Sequence, residues 1–280
     1  MRFQCGRFVL NLDDPVVMGV LNVTPDSFSD GGRFLDVAAA LAQAERMAQD
    51  GAAIIDVGGE STRPGAAPVD EDEESRRVLP VIERLAATLS IPISIDTRKP
   101  AVMRRAIAAG ASLVNDVAAL SAPGAMEAVA GSDAAVCLMH MQGEPGTMQD
   151  APRYGDVLAE VRSFLGGRVA ACETAGIARS RIAVDPGFGF GKTLEHNLAL
   201  LAGLPALAAD GQPVLAGLSR KRMIASLTGR EGEERLAGSL AAAVVAAWNG
   251  ARIIRAHDVR ETVDALRVVA AAGAMRDNRE

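Results

Sequence analysis

Residues 16–32 read VVMGVLNVTPDSFSDGG: the apolar run Val16–Leu21 breaks directly into the polar, Gly-rich stretch Asn22–Gly32. A strand covered on both faces is continuously apolar rather than alternating. A polar loop seated on the end of such a strand is where α/β enzymes keep their chemistry. The same junction recurs along the chain. Further apolar runs are Ala53–Val57, Ile93–Ile95, Leu113–Val117, Ala135–Met139, Ile182–Val184, Val214–Leu218 and Ile253–Arg255. Helix-like segments separate them, among them Leu35–Gln49, Glu71–Leu89, Val102–Ala109 and Leu194–Leu207. Arg260–Ala272 closes the series with Val263, Leu266, Val269 and Ala270 on one stripe.

Eight βα units fit an α/β fold of the (β/α)8 TIM-barrel type, typically roughly 250 residues long, better than an open doubly wound sheet. No linker or low-complexity tract divides the 280 residues, so residues 1–280 are predicted to form a single domain. Phe3–Cys5 and Phe8–Leu10 flank Gly6 and predict a short N-terminal β-hairpin across the barrel's bottom.

Hydrophobic residues make up 49% of the chain but aromatics only 3%, so small aliphatic side chains must fill most of the core. The net charge of -6 argues against a general nucleic-acid partner, which needs a basic surface. An anion must then be held by a local cluster of cations and helix N-termini. No apolar run reaches the roughly 18 residues of a membrane span, and the N-terminal residues lack a basic-then-apolar signal layout. The expected location is the cytoplasm. Cys5, Cys137 and Cys172 are scattered without a CxxC pair, which disfavours structural zinc and a disulfide framework.

In a barrel of this kind, active sites gather at the C-terminal ends of the strands. Polar residues do stand there: Asn22, Asp56, Asp96, Asn115 with Asp116, His140, Asp185, Ser219, and Arg255 with His257. The polarity of loops in general accounts for about half of them. It accounts less well for single carboxylates, amides and cations in place of Ser, Gly and Lys filler. Asp96, Asn115 and Asp185 suit a ligand with an amidine-like donor edge, such as a pterin or guanine, because a carboxylate facing two N–H donors makes a bidentate bond. Asp56 divides evenly between such a role and a cap or loop support. A glycosidase acid pair lacks the aromatics that stack on sugars.

Arg63, Lys221, Arg255 and His257 form the anion side, with Arg220 and Arg222 read as solvated surface cations. Arg-Ala-His at a strand end places Arg255 and His257 on one side. Asn22 could give an oxygen to Mg²⁺, which is usually brought to a site on substrate phosphates.

The segment Gly187–Thr193, GFGFGKT, is not a P-loop, since the pattern needs Gly where Pro186 stands. It reads as a flexed loop that presents Phe190 as an aromatic wall, while core packing is favoured for Phe188. His196 reads as structural or solvent-facing, and His140 as within reach of the site, with a supporting place behind it favoured. Three histidines with no HxH pair disfavour a zinc hydrolase, and no GxSxG elbow is present.

Eight blocks in order closely resemble the dihydropteroate synthase family: VMGVLNVTPDSFSDGG from Val17, IIDVGGESTRPG from Ile54, SIDTRKP from Ser94, LVNDV from Leu113, CLMHMQG from Cys137, DPGFGFGK from Asp185, GLSRKR from Gly217 and IIRAHDV from Ile253. The resemblance covers essentially the whole chain. It implies a pterin-binding TIM barrel in folate biosynthesis, a Mg²⁺-dependent transferase. The reaction it implies joins 6-hydroxymethyl-7,8-dihydropterin pyrophosphate to p-aminobenzoate, giving 7,8-dihydropteroate and pyrophosphate. It further implies a homodimer through the late helices and membership of a family that sulfonamide mimics of p-aminobenzoate target, without giving this chain's own sensitivity to them.

By motif, the resemblance assigns the pterin pocket to Asp96, Asn115, Asp185 and Lys221, with Met139 and Gly217 beside the ring. Arg255 would stack on the pterin and help hold the diphosphate, and with Asp96, Asp185 and Lys221 would carry catalysis. Asn22, Arg63 and His257 would complete the pyrophosphate–Mg²⁺ site. Phe28, Thr62, Pro64, Phe190, Lys221 and Arg222 would surround p-aminobenzoate. Relatives carry either Ser or Arg at the place of Arg222, so its contact could use the side chain or the backbone N–H. Two other readings share the pocket: a pterin-binding methyltransferase domain, which has no use for TPDSFSDGG and ESTRPG, and a catalytically inactive pterin-binding paralogue.

Overall fold

The structure, a computed structural model, describes residues 1–24, 32–60, 69–143, 148 and 151–277. The chain opens with β1 (Arg2–Cys5) and β2 (Phe8–Asn11), paired antiparallel with Cys5 opposite Phe8. Gly6 turns the hairpin at φ +55° and donates to the Asp133 carbonyl. Eight strands follow: β3 (Val16–Asn22), β4 (Ile54–Gly58), β5 (Ile93–Asp96), β6 (Leu113–Asp116), β7 (Ala135–Met139), β8 (Ile182–Asp185), β9 (Leu215–Gly217) and β10 (Ile253–Ala256). They form one parallel sheet in the order β8-β7-β6-β5-β4-β3-β10-β9. A parallel bridge between Val184 and Val214 brings the two ends of the sheet together into a barrel.

Helices α1 (Gly32–Gln49), α2 (Glu71–Thr88), α3 (Pro100–Ala108), α4 (Ala125–Ala130), α5 (Val157–Thr174), α6 (Leu194–Ala208), α7 (Arg222–Thr228), α8 (Leu236–Trp248) and α9 (Val259–Asp277) alternate with the strands. Local signals fix several of their ends. The Asp70 side chain caps α2 by accepting from Glu73 N at 2.7 Å, and Glu71 to Glu74 complement the positive end of the helix. Thr193 and His196 form a capping box on α6, so of the two readings of His196, structural and solvent-facing, the structural one holds.

The two faces of the strands serve two cores. Outward residues such as Val17, Ile55, Val57, Ile95, Val114, Val136, Leu138 and Ile254 pack under the helices. Inward residues Met18, Ile54, Leu113, Ala135, Cys137, Ala183, Leu215 and Ile253 fill the barrel, closed below by Phe3, Cys5 and Leu12 of the hairpin region. The hairpin therefore plugs the lower end. All three cysteines are buried free thiols, and burial pushes the Cys5 thiol up to about 12. Among the described residues no helix is long and apolar enough to cross a membrane.

Candidate active site

Side chains on a strand alternate faces, so every second residue points into the barrel. Following the filled layer upward by two residues leads from Ile54 to Asp56, from Leu113 to Asn115, from Cys137 to Met139, from Ala183 to Asp185, from Leu215 to Gly217 and from Ile253 to Arg255. The same step leads from Ser94 to Asp96. On β4, β6, β8 and β10 the inward face thus changes from apolar to polar within one residue pair at the C-terminal end, while β5 passes from Ser94 to Asp96 and β7 and β9 end on Met139 and Gly217.

Arg255 sits at the centre of this layer. Its Nε donates to Asp56 Oδ2 at 2.6 Å and its Nη2 to Asp96 Oδ2 at 2.8 Å, and Asn115 Nδ2 donates to the same Asp56 oxygen at 3.1 Å. Burial works against the Arg255 charge, but Asp56 and Asp96 overcome it and hold the guanidinium firmly protonated. Burial raises the Asp96 carboxyl above the usual carboxylate range, while Arg255 pulls the other way. Asp185 is likewise raised by burial, opposed by Lys221, and its Oδ1 accepts from Gly187 N at 2.7 Å. Asp56 is fully buried, and its partners among the described residues are Arg255 and Asn115, not a helix end, so of its two readings the site role is the one it fits.

Lys221 completes the ring. Its Nζ donates to the Phe188 carbonyl and stands 4.6 Å from the centre of the Phe190 ring. Burial draws its pKa down to about 8, against the pull of Asp185. A Cβ at Gly217 would meet Lys221 Nζ and Arg255 Cβ, each at 3.8 Å, so the absence of a side chain there leaves a slot between the two cations. Met139, 3% exposed, forms the neighbouring wall. Phe190 is half-buried as a wall should be, whereas Phe188 is core.

The turn that delivers Lys221 is held from outside. Arg220 adopts φ +59°, a conformation costly for a residue with a side chain. Its N donates to Ser239 Oγ at 3.0 Å, its carbonyl accepts from Arg235 Nη1 at 3.0 Å, and its guanidinium pairs with Asp258. Arg220 is therefore a brace for the turn rather than the solvated surface cation its sequence context suggested. Arg222 is exposed as expected and is the first residue of α7. His257 is half-buried, with Nδ1 3.1 Å from Ser219 Oγ.

Asn22 ends β3 beside Gly58. A Cβ at Gly58 would lie 3.8 Å from Asn22 Oδ1 and 3.9 Å from Asp96 Oδ2, so both oxygens face one open wedge. Phe28, Thr62, Arg63 and Pro64 lie outside the described residues. Before that second stretch, Glu60 Oε1 accepts from Val69 N at 2.9 Å, and Lys99 joins Glu60 to the fully buried Glu74. Sequence reasoning singled out neither this group nor Lys192, which is buried with His140 behind Phe190. Strand-face parity identifies Asp56. Glu60, Lys99 and Lys192 stand in the quoted blocks without a periodic signal of their own.

The profile of the family described as pterin binding enzyme matches residues 18–257. The dihydropteroate synthase of Escherichia coli K12 is 54% identical over 270 residues, covering 96% of each chain. The dihydropteroate synthase of Yersinia pestis, solved in complex with a sulfonamide drug, superposes with a TM-score of 0.93 at 49% identity, covering 98% of this chain and 100% of that one. The Xanthomonas albilineans enzyme solved with 4-aminobenzoic acid gives 0.92 at 56% identity, covering 98% of each chain. Its complex with 7,8-dihydropteroate gives 0.89 at 53%, covering 98% of this chain and 99% of that one. This chain belongs to the pterin-binding enzyme family and, within it, to the dihydropteroate synthases.

Proposed function

We propose that the barrel mouth condenses 6-hydroxymethyl-7,8-dihydropterin pyrophosphate with p-aminobenzoate to give 7,8-dihydropteroate and pyrophosphate. The observation that carries this reading is the convergence of Asp96, Asn115, Asp185 and Lys221 around a slot beside Arg255, with the Phe190 ring at its edge. Asp96, Asn115 and Asp185 supply the acceptors that a pterin's amidine-like edge requires. Lys221 and Arg255 supply cations for the ring and the diphosphate. The 4-aminobenzoic acid and 7,8-dihydropteroate bound to the Xanthomonas albilineans enzyme support the same two subsites here, with Phe190, Lys221 and Arg222 on the p-aminobenzoate side.

The chemistry needs no triad. The bond between the exocyclic methylene and the bridging oxygen breaks, and its electron pair leaves with pyrophosphate. The electron-rich dihydropterin carries the resulting positive charge in an SN1-like path, which Asp96 and Asp185 favour electrostatically. The aniline nitrogen then forms the new C–N bond and gives up its proton to solvent or to the departing pyrophosphate. An aniline is uncharged and nucleophilic at neutral pH, so the protein's tasks are positioning and water exclusion.

Mg²⁺ fits the donor set. Among the described residues no group of three or more His, Cys, Asp or Glu forms a metal cage. The wedge over Gly58 offers one amide oxygen from Asn22 beside Asp96, the sparse set that suits an ion held mainly by phosphate oxygens. When bound, Mg²⁺ neutralises charge on the pyrophosphate leaving group. Arg63 and His257 complete the diphosphate side in this reading, and Phe28, Thr62 and Pro64 the p-aminobenzoate side.

A homodimer is proposed through the late helices, supported by Leu227 on α7 and Val245 and Trp248 on α8, which are 52%, 44% and 46% exposed. A cytoplasmic location and competition by sulfonamides accompany the assignment. The test is chromatographic identification of 7,8-dihydropteroate after incubating the purified chain with both substrates and Mg²⁺. Product that requires both substrates supports the assignment. Pterin binding with no product would favour the inactive paralogue instead.

A further inference from the structure

Behind Phe190 lies a buried cluster that the reaction as described leaves without a task. Lys192, only 3% exposed, donates to the Phe190 carbonyl at 2.9 Å and to the His140 carbonyl at 3.3 Å, and its Nζ stands 3.0 Å from His140 Nδ1. Three acceptors match the three N–H groups of an ammonium, while burial draws the Lys192 pKa down to about 7 against the pull of Asp185. With Nδ1 accepting, the His140 ring is neutral and carries its proton on Nε2. Burial, reinforced by the Lys192 charge, draws the His140 pKa down to about 4 and keeps it so. The His140 ring is flanked by Phe164 at 5.0 Å and Tyr154 at 6.0 Å, and the Tyr154 hydroxyl donates to the Gly191 carbonyl at 2.8 Å.

The segment Gly187–Gly191 is pressed directly onto the end of β7. A Cβ at Gly187 would lie 1.9 Å from the His140 carbonyl oxygen, and one at Gly191 would lie 2.3 Å from that of Gln142. Both glycines also have positive φ, +71° and +61°. The backbone therefore approaches as closely as a chain can, and the ammonium joins the two segments where they meet. Apolar packing would hold such a junction without the desolvation cost of a buried cation. A directed three-point clamp adds a fixed position for one particular atom, the Phe190 carbonyl.

We propose that Lys192 is a positioning residue for the aniline substrate: by tying the Phe190 backbone to the end of β7 it holds the Phe190 ring beside Lys221 and sets the width of the p-aminobenzoate subsite. This rests on the reading above that Phe190 borders that subsite. Of the pterin contacts, Asp96 and Asn115 come from strands β5 and β6, which Lys192 does not touch. Asp185 and Met139 end β8 and β7 beside the clamp, and Asp185 feels the Lys192 charge, so the His140 variants, which keep that charge, are the cleaner test of separation. Removing the clamp should therefore separate the two substrates kinetically.

The experiment measures KM for each substrate, kcat and Tm for the wild type and for Lys192→Met, His140→Leu and His140→Asn. Asn keeps an oxygen acceptor close to the place of Nδ1, whereas Leu removes it. Lys192→Met and His140→Leu should each raise the p-aminobenzoate KM by about 10-fold or more, in line with the roughly 100-fold that a misplacement of about 1 Å can cost. The KM for the pterin pyrophosphate should stay within about 2-fold, a change worth less than roughly 0.5 kcal/mol. His140→Asn should restore most of the loss. A fall in Tm with both KM values unchanged, or a parallel rise of both, would overturn the proposal. Should Lys192→Met fail to fold, the two His140 variants decide, and equal p-aminobenzoate KM values in them overturn it. Wild-type turnover with unchanged variant KM values refutes the clamp alone, whereas no wild-type turnover refutes the reaction assignment and the clamp with it.

Discussion

Arg255 shares one guanidinium between Asp56 and Asp96, and Asn115 binds the Asp56 oxygen that Arg255 also uses. A buried charge left without its partner costs about 3–5 kcal/mol, so these residues stand or fall as a group. The protonation of Asp96, Asp185 and Lys221 sets the working pH. Burial raises Asp96 and Asp185, so each becomes a carboxylate only as pH climbs past the ordinary carboxylate range. Burial draws Lys221 down to about 8, so it loses its charge as pH rises through that value. The kcat/KM for the pterin substrate, which reports the free enzyme, should accordingly fall on both sides. The acid limb is expected above the usual carboxylate range and the alkaline limb near pH 8; a profile flat from acid to pH 9 would refute these protonation states. At this scale the carboxylates and amides at strand ends were legible in the sequence because each interrupts an apolar run. Asp56 was half-legible: parity places it inward, but only the fold shows that Arg255 reaches it. Lys192 was not legible, because its role depends on how two loops distant in sequence meet.

The elements show a division of labour. Strand ends carry Asp96, Asn115, Asp185 and Arg255, and the segments after them carry Phe190, Lys221 and His257 and brace the result, as Ser239, Arg235 and Asp258 do for the turn at Arg220. The hairpin β1–β2 takes no part in the site and completes the barrel's interior from below through the fully buried Phe3. Phe3→Ala should lower the unfolding free energy by about 3–5 kcal/mol, read by urea denaturation, with both substrate KM values unchanged. A changed KM without lost stability would place the hairpin in the active site. The strands were readable because burial on both faces makes them continuously apolar. Helices α5 and α8 were not singled out, since Gly166–Gly167 interrupts one and the run Leu236–Trp248 is too uniformly apolar to show a period.

Across the whole molecule, the barrel topology follows from eight apolar runs in regular alternation with helices. Its closure through Val184 and Val214 carries no signal in either segment alone. Exposed Val245 and Trp248 on α8 are the surface on which the proposed dimer depends. Trp248→Asp should convert the protein to monomers in sedimentation velocity, and a wild-type monomer would refute the dimer. The central claim is that the barrel mouth is built to position and discharge a pyrophosphate ester, and that its buried charges serve the reaction rather than the fold. Its most direct test is single-turnover pyrophosphate release by Asp185→Asn, set beside its Tm. Loss of an electrostatic contact to developing charge should slow release by about 100-fold or more, with the Tm little changed, because Asn keeps an oxygen to accept from Gly187 N and Lys221, already drawn down to about 8, can shed its proton. Release at the wild-type rate, or a loss of rate matched by a comparable loss of stability, would contradict it.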